Sequence, residues 1–299
     1  MALTFGVHTG LQNTTVEDLR SLWHRIEELG FGWISIWDHF YSADFNGYDC
    51  LEAVACHAAL ACETSRVRCG SLVYCAGYRH PAVLANAITT IDHLSGGRAD
   101  MGIGAGWAFN EYGAYGIPFP STTERMDILE ESVQCLRLML HEEVANFEGK
   151  YFTLTDARCE PRPVQAKLPI WVGGGGEKRT LAIVAKYADG WNVPFIPPEE
   201  FARKREVLAS HCSNVDRDIA DIKCAVNVGL AFSDESLKTQ FGALADAIRP
   251  GVLTGSDDQV IDTVGRYVEA GASQINVALR APFLVEELER LAPAIQQLG

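Results

Sequence analysis

The chain has 299 residues, 47% apolar and 21% charged, enough for one well-cored, enzyme-sized body. Its 25 basic and 39 acidic side chains give a net charge of −14, which argues against nucleic acid or an anionic membrane as a partner, because phosphate is held by clustered Lys and Arg. The longest uncharged apolar run, Ala53 to Cys62, contains His57 and falls well short of the roughly 18 residues a spanning helix needs.

Strand-like and helix-like segments alternate from end to end. Leu3–His8 reads as a strand and Thr15–Leu29 as a helix, capped by Thr14 or Thr15 and stopped by Gly30. Strand Trp33–Trp37 precedes a helix at Asp49–Cys62, and strand Val67–Tyr74 precedes helix His80–Leu94 with Pro81 in its first turn. Strand Ala99–Ala105 leads through a Gly- and Pro-rich loop to helix Thr122–His141. Then come strand Pro169–Val172, helix Glu177–Tyr187, strand Gly190–Pro194, helix Pro198–Ser213 and strand Ile222–Leu230. Helix Asp257–Ala270, strand Gln274–Ala278 and helix Val285–Gln297 complete eight strand–helix units. Strands bounded by helices imply a parallel sheet, and eight units fit a closed (β/α)₈ TIM barrel, here one domain over residues 1–299. Insertions are expected at Asn146–Lys167, between the fourth helix and fifth strand, and at Ser233–Thr254, after strand seven.

The start, MALTFGVHTG, lacks a basic leader and reads as strand, so no signal peptide is expected. Nine cysteines with no C-x-x-C pair point to buried thiols in a reducing cytoplasm rather than to disulfides or a metal site. The second helix, LEAVACHAALAC, is apolar nearly all round, and a barrel's outer helix of that kind buries its second face against another subunit. A homodimer is therefore expected.

In such barrels the active site lies at the carboxyl ends of the strands. After the second strand stand Trp37, Asp38, His39 and Phe40; the imidazole can move a proton near neutral pH, and the adjacent carboxylate either sets its tautomer or holds the loop. A strand-capping structural histidine is the alternative. After the fourth strand comes GIGAGWAFNE, Gly102–Glu111, whose small residues admit a flat ring or a close-packed backbone. Trp107 there either stacks on a ring or closes the core, while Asn110 and Glu111 read as surface or capping residues. After the fifth strand, Gly173–Gly176 followed by Lys178 and Arg179 offers backbone N–H groups and positive charge to an anion, or forms a flexible turn. The pattern is neither a dinucleotide fingerprint nor a P-loop. With no H-x-H on the first strand, no H-E-x-x-H and no G-x-S-x-G, metal hydrolysis and serine-nucleophile chemistry have no support, and no metal is expected. His57, His80 and His93 fall on helices as packing or surface residues.

Together these stretches resemble the luciferase-like flavin or deazaflavin oxidoreductases, in particular their coenzyme F420-dependent branch. The matching segments are WDHF at 37–40, CGSLVYCAGYRHPAVLA at 69–85, IDHLSGGRADMGIGAGW at 91–107, YGIPFPSTTERMDILEE at 115–131 and EPRPVQAKLPIWVGGGGEKRTLAIVAKYADGWN at 160–192, with the tail around LTGSDDQVIDTVGRYVEAGAS. The resemblance implies a hydride exchanged between F420 and a small unsaturated or alcohol-type molecule, with His39 handling the proton and Asp38 beside it. It also implies a non-proline cis peptide at Ser71 and Leu72 against the ring. Tyr74, Gly106, Trp107 and Asn110 would flank ring and arm, and Gly174, Gly175, Gly176 and Arg179 would hold the phosphate. FMN with oxygen, as in a two-component monooxygenase, is the alternative cofactor, and a non-catalytic flavin-binding protein the second alternative. Trp107 stands where the sugar-phosphate dehydrogenases of the family have a glutamate, so that position offers no acid.

Overall fold

The computed structural model describes residues 3–42 and 47–298. The first half runs β1 (Thr4–Thr9), α1 (Val16–Glu28), β2 (Trp33–Ile36), α2 (Ala53–Glu63), β3 (Arg68–Ser71), β4 (Tyr74–Cys75), α3 (Pro81–Ser95), β5 (Ala99–Gly104), α4 (Phe109–Tyr115) and α5 (Thr122–His141). A hairpin follows, β6 (Ala145–Glu148) with β7 (Thr153–Ala157), then β8 (Ile170–Gly173), α6 (Thr180–Tyr187), β9 (Gly190–Pro194) and α7 (Pro198–Ser213). The last part holds β10 (Lys223–Leu230), α8 (Asp234–Phe241), α9 (Ala245–Ile248), β11 (Val252–Leu253), α10 (Asp257–Glu269), β12 (Gln274–Leu279) and α11 (Val285–Leu298).

The parallel strands pair in the order β10-β12-β1-β2-β3-β5-β8-β9, and β9 pairs again with β10, so the sheet closes into the expected (β/α)₈ barrel. One alternate set of strand residues, including Val7, Ile34, Ile103, Val172, Val226 and Val277, joins the main apolar core under the helices. The other set faces the barrel axis and is unusually polar. At its amino end Asp100 accepts from Trp33 Nε1 at 2.9 Å, Trp171 Nε1 at 3.3 Å and Arg68 Nε at 2.6 Å. Above it an amide ladder runs from Gln274 to Asn276 to Asn227, which also accepts from Asn192. Each buried dipole there has a partner, as the low dielectric requires.

The helices form where the sequence signals them. Thr15 accepts from Asp18 N at the start of α1, whose Leu19, Leu22, Trp23 and Ile26 lie on one buried stripe. Ser121 with Glu124, and Ser256 with Gln259, form reciprocal caps on α5 and α10. The two expected insertions are present. In the first, Glu131 accepts from the backbone N–H groups of Lys150, Tyr151 and Phe152 and pins the β6–β7 turn. The second supplies α8, α9 and β11, and folds Leu244 and Ile248 over the barrel mouth.

Three local expectations need correction. The third strand is not continuous over Val67–Tyr74: it stops at Ser71, the non-proline cis peptide joins Leu72 to Val73, one bond beyond the expected Ser71 and Leu72, and β4 resumes on β5. The helix after the glycines begins at Thr180, not Glu177, because residues 177–179 form a turn and Glu177 is drawn out to Arg203 and Lys204. The Gly- and Pro-rich stretch after β5 is not all loop: it contains the short helix α4. No helix among the described residues is long and apolar enough to cross a membrane.

Candidate active site

A cavity of about 520 Å³ opens at the carboxyl ends of the strands. Its lining includes Asp38, His39, Leu72, Tyr74, Gly106, Trp107 and Gly174 from the sequence-stated candidates. His39 and the start of the glycine turn therefore border the same cavity. Ser71 is sealed beneath it, its hydroxyl both donating to Gly102 O and accepting from Gly102 N at 3.0 Å. Gly175 and Gly176 continue outward from Gly174, while Asn110 and Arg179 do not line the cavity.

His39 is held on three sides. Its Nδ1 lies 2.8 Å from Glu111 Oε1, and its ring meets Trp107 and Trp37 edge-on, with centroids 5.3 and 6.3 Å away. Glu111 is 1% exposed and also accepts from Tyr78 Oη and from the N–H groups of Phe40 and Tyr41. Burial pushes its carboxyl upward, but the bonds from His39, Tyr78 and the backbone outweigh that and leave it below the ordinary glutamate value. An ionised carboxylate only accepts, so Nδ1 carries hydrogen and Nε2 is the nitrogen left for chemistry. Asp38 does not set this tautomer. It accepts from Cys75 N at 2.9 Å and from both terminal nitrogens of Arg79, at 2.6 and 3.1 Å, and so ties the His39 loop to the β4 segment.

The opposite wall is built around Val73. A Cβ on Gly104 or Gly173 would lie 2.7 Å from a Val73 methyl, so β5 and β8 carry glycine where the cis segment bulges into the barrel. At Gly106, φ is +76° and a Cβ would reach Cys75 Sγ and Tyr112 Oη. Tyr74 borders the cavity, but its hydroxyl is committed to His57 Nδ1 at 2.8 Å. Burial lowers His57 to about 4, and it bridges on to Cys69 O, a structural role as expected.

Gly174 N donates to Asn192 O, whereas the N–H groups of Gly175 and Gly176 meet no acceptor among the described residues. Lys204 supports the turn from below, donating to Gly175 O at 3.0 Å and Glu177 Oε1 at 3.2 Å. Arg179, expected to add charge here, is instead paired with Asp127 and Glu130 of α5. The cavity's far side carries the buried His8, Asn192, Asn227 and Arg280, whose guanidinium lies over Trp37 and Phe241. Glu111, Val73, Lys204 and His8 were not singled out from sequence. A strand position ending at the mouth was the available signal for His8; Glu111 gave none, since a carboxylate beside Asn110 reads as surface. No cluster of metal-ligand side chains occurs among the described residues.

The sequence profile described as luciferase-like monooxygenase matches residues 1–240. An F420-dependent glucose-6-phosphate dehydrogenase of Amycolatopsis mediterranei is 36% identical over 165 residues, 55% of this chain and 48% of that protein, so the match spans about half the relative's length. A Rhodococcus erythropolis protein of the same description is 27% identical over 91% of this chain and 92% of its own. Among solved structures, an F420-dependent secondary alcohol dehydrogenase in complex with an F420–acetone adduct superposes with a TM-score of 0.87 at 20% identity, covering 99% of both chains.

Proposed function

The chain belongs to the luciferase-like monooxygenase family, and from that premise we propose that it is an F420-dependent oxidoreductase acting on a small organic molecule at the barrel mouth. One observation carries the reading: the His39 imidazole, paired with Glu111, lines the same cavity as Gly173 and Gly174, the start of the glycine turn. The relatives described as F420-dependent support the choice of cofactor. When bound, a deazaflavin supplies hydride transfer, and the protein's part is orientation, dryness and proton placement.

The residues present fit such a group. The volume lies within the usual range for small-ligand clefts, and the wall of Val73, Gly104 and Gly106 lacks side chains that would obstruct a flat ring. The unpartnered N–H groups of Gly175 and Gly176 suit the phosphate of the cofactor's arm. Tyr74 and Leu72 would border the ring and Trp107 would cover it, whereas Asn110 and Arg179 lie outside the cavity lining and Arg179 is engaged by Asp127 and Glu130. His39 would take or give the substrate's proton through Nε2, with Glu111 balancing the charge as it forms. Trp107 leaves no acid at the position where sugar-phosphate dehydrogenases of the family carry one, which speaks for an unsaturated or alcohol-type small molecule over a sugar phosphate.

Titrating the purified protein with F420 and with FMN tests this reading. Strong quenching of F420 fluorescence with weak FMN binding is the expected result. Tighter FMN binding would favour a two-component monooxygenase, and binding without turnover on any alcohol or enone would favour a non-catalytic flavin carrier.

The chain acts as a homodimer in this reading. Ala55 and the half-buried Val54, Ala58 and Ala59 of α2 lie beside α3, whose Val83 is 63% exposed, and a second copy would cover this apolar face. Equilibrium sedimentation showing only monomer at micromolar concentration would remove the dimer.

A further inference from the structure

His8 ends up where the mechanism does not use it. It sits near the carboxyl end of β1, 4% exposed and lining the cavity. Its Nδ1 lies 2.8 Å from Ser35 Oγ, and its ring meets Trp37 edge-on at 5.3 Å and 70°. The ring is therefore fixed in position and in rotation.

The proton's place on that ring follows from Ser35. Ser35 is 0% exposed, and its hydroxyl has no other hydrogen-bond partner among the described residues. A buried hydroxyl must donate to something, or it loses the cost of its desolvation. Among the described residues, the one partner of that hydroxyl is His8 Nδ1. Ser35 thus donates to Nδ1, and the ring's hydrogen sits on Nε2. That nitrogen has no hydrogen-bond partner among the described residues, yet it is not among the sealed, unbonded polar atoms, so it keeps contact with the cavity.

We propose that His8 is a second imidazole of the site, a fixed Nε2–H donor that holds a carbonyl or alkoxide oxygen of the molecule bound in the cavity. It complements His39: one ring moves a proton, the other only marks where an oxygen must lie. Burial first, then the charge of Arg280 at the end of β12 and the His39 ring after β2, push the His8 imidazole down to about 3. The ring stays uncharged near neutral pH, so it acts as a hydrogen-bond donor only. A bound molecule lacking an acceptor oxygen would leave this donor unpaired and bind correspondingly more weakly. The inference rests on the cavity being the binding site, as in the proposed function, but not on which cofactor fills it.

Ring nitrogens of protein labelled with ¹⁵N-histidine, followed by long-range proton–nitrogen correlation, test it directly. The His8 signals are assigned by their loss in His8→Phe. In ligand-free protein the proton should sit on Nε2 and stay there across the range in which an ordinary imidazole titrates; a proton on Nδ1, or titration in that range, overturns the proposal. F420 is then added (FMN should F420 not quench), followed by cyclohexanone. A downfield move of the Nε2–H signal with cofactor alone identifies a ring carbonyl as the acceptor, and a move only with the ketone identifies the substrate's oxygen. No move in either arm overturns the proposal. Loss of cofactor quenching rejects the preceding section's reading separately, because the tautomer is read without ligand. For whichever molecule moved the signal, His8→Phe should raise Kd roughly 5–10-fold, His8→Gln should restore most of it, and Ser35→Ala should spread the proton over both nitrogens.

Discussion

Glu111 meets His39 across 72 residues of chain, its Oε1 2.8 Å from Nδ1 of the imidazole. The contact depends on α4, which turns the chain just after β5 so that a carboxylate from the fourth strand's loop faces the loop of the second. Replacing Glu111 by Gln keeps the shape but lets the amide present either oxygen or nitrogen to the ring, so the tautomer is no longer dictated. Turnover should fall by at least roughly 10-fold and at most about 10⁴-fold, the loss seen when a carboxylate that orients a catalytic imidazole becomes its amide, while F420 affinity changes little. An unchanged kcat in Glu111→Gln would show that the carboxylate does not orient His39.

His39 itself should weigh more. In His39→Ala the site loses its proton carrier but not its ring slot or glycine turn, so turnover should drop by roughly 10²–10⁴-fold with cofactor Kd within about tenfold. Steady-state kinetics beside F420 fluorescence titration separate the two effects. Undiminished turnover would reject His39 as the proton carrier.

The strand–helix alternation made the barrel legible, because periodicity and caps are local signals: Thr15, Pro81 and Gly30 announce ends that the structure keeps to within a few residues. His39 and the glycine turn were legible for the same reason, as residues that follow directly on strands. What stayed hidden depends on contacts between distant segments. Glu111 looks like any loop acid until α4 buries it, and Lys204 looks like a helix-surface lysine until its ammonium reaches Gly175 O. Asp38, adjacent to His39 in sequence, left two roles open, setting the tautomer or holding the loop; its bonds to Arg79 and Cys75 N decide for the loop.

Val73 and the two glycines opposite it should behave as one packing unit. In Gly104→Ala the new methyl meets Val73 Cγ2 at 2.7 Å, and in Gly173→Ala it meets Cγ1 at the same distance. Each substitution should destabilise the fold by about 1–3 kcal/mol through overpacking. Val73→Ala removes both methyls, so Gly104→Ala in that background should lose much less. Thermal unfolding of the single and double variants gives the coupling. Strictly additive losses would mean that Val73 is not what the glycines accommodate.

Glu27 ties α1 to the entry of β3. Its carboxylate accepts from the N–H groups of Ser65, Arg66 and Val67 and from the Ser65 hydroxyl. Burial acts against ionisation, but those donors hold the group at about 2, well below the ordinary glutamate value. A depressed folded pKa means stability that is complete above the unfolded value and lost as pH falls toward the folded one. Glu27→Gln should therefore cost about 1–2 kcal/mol at neutral pH, after allowing for solvent screening. The gap between wild type and variant should close as pH drops from about 4.5 toward about 2. Denaturant midpoints measured across that range check it; a constant gap would place the stabilisation elsewhere.

The nine thiols are all unpaired, and their surroundings sort them sharply. Cys62 is exposed near the end of α2, Cys50 is half-buried, and the other seven are buried. Burial pushes Cys50 up to about 12 and Cys56, Cys75 and Cys224 up to about 11, so neither access nor thiolate favours their reaction at neutral pH. An aromatic disulfide reagent should therefore titrate one thiol promptly in the native protein and all nine after denaturation. Cys62→Ser should abolish the prompt phase. If the protein pairs through the α2 face as proposed, the prompt phase should also slow as protein concentration rises, since a second copy would cover Cys62. A rate independent of concentration, alongside a dimer in sedimentation, would move the interface to another face of the barrel.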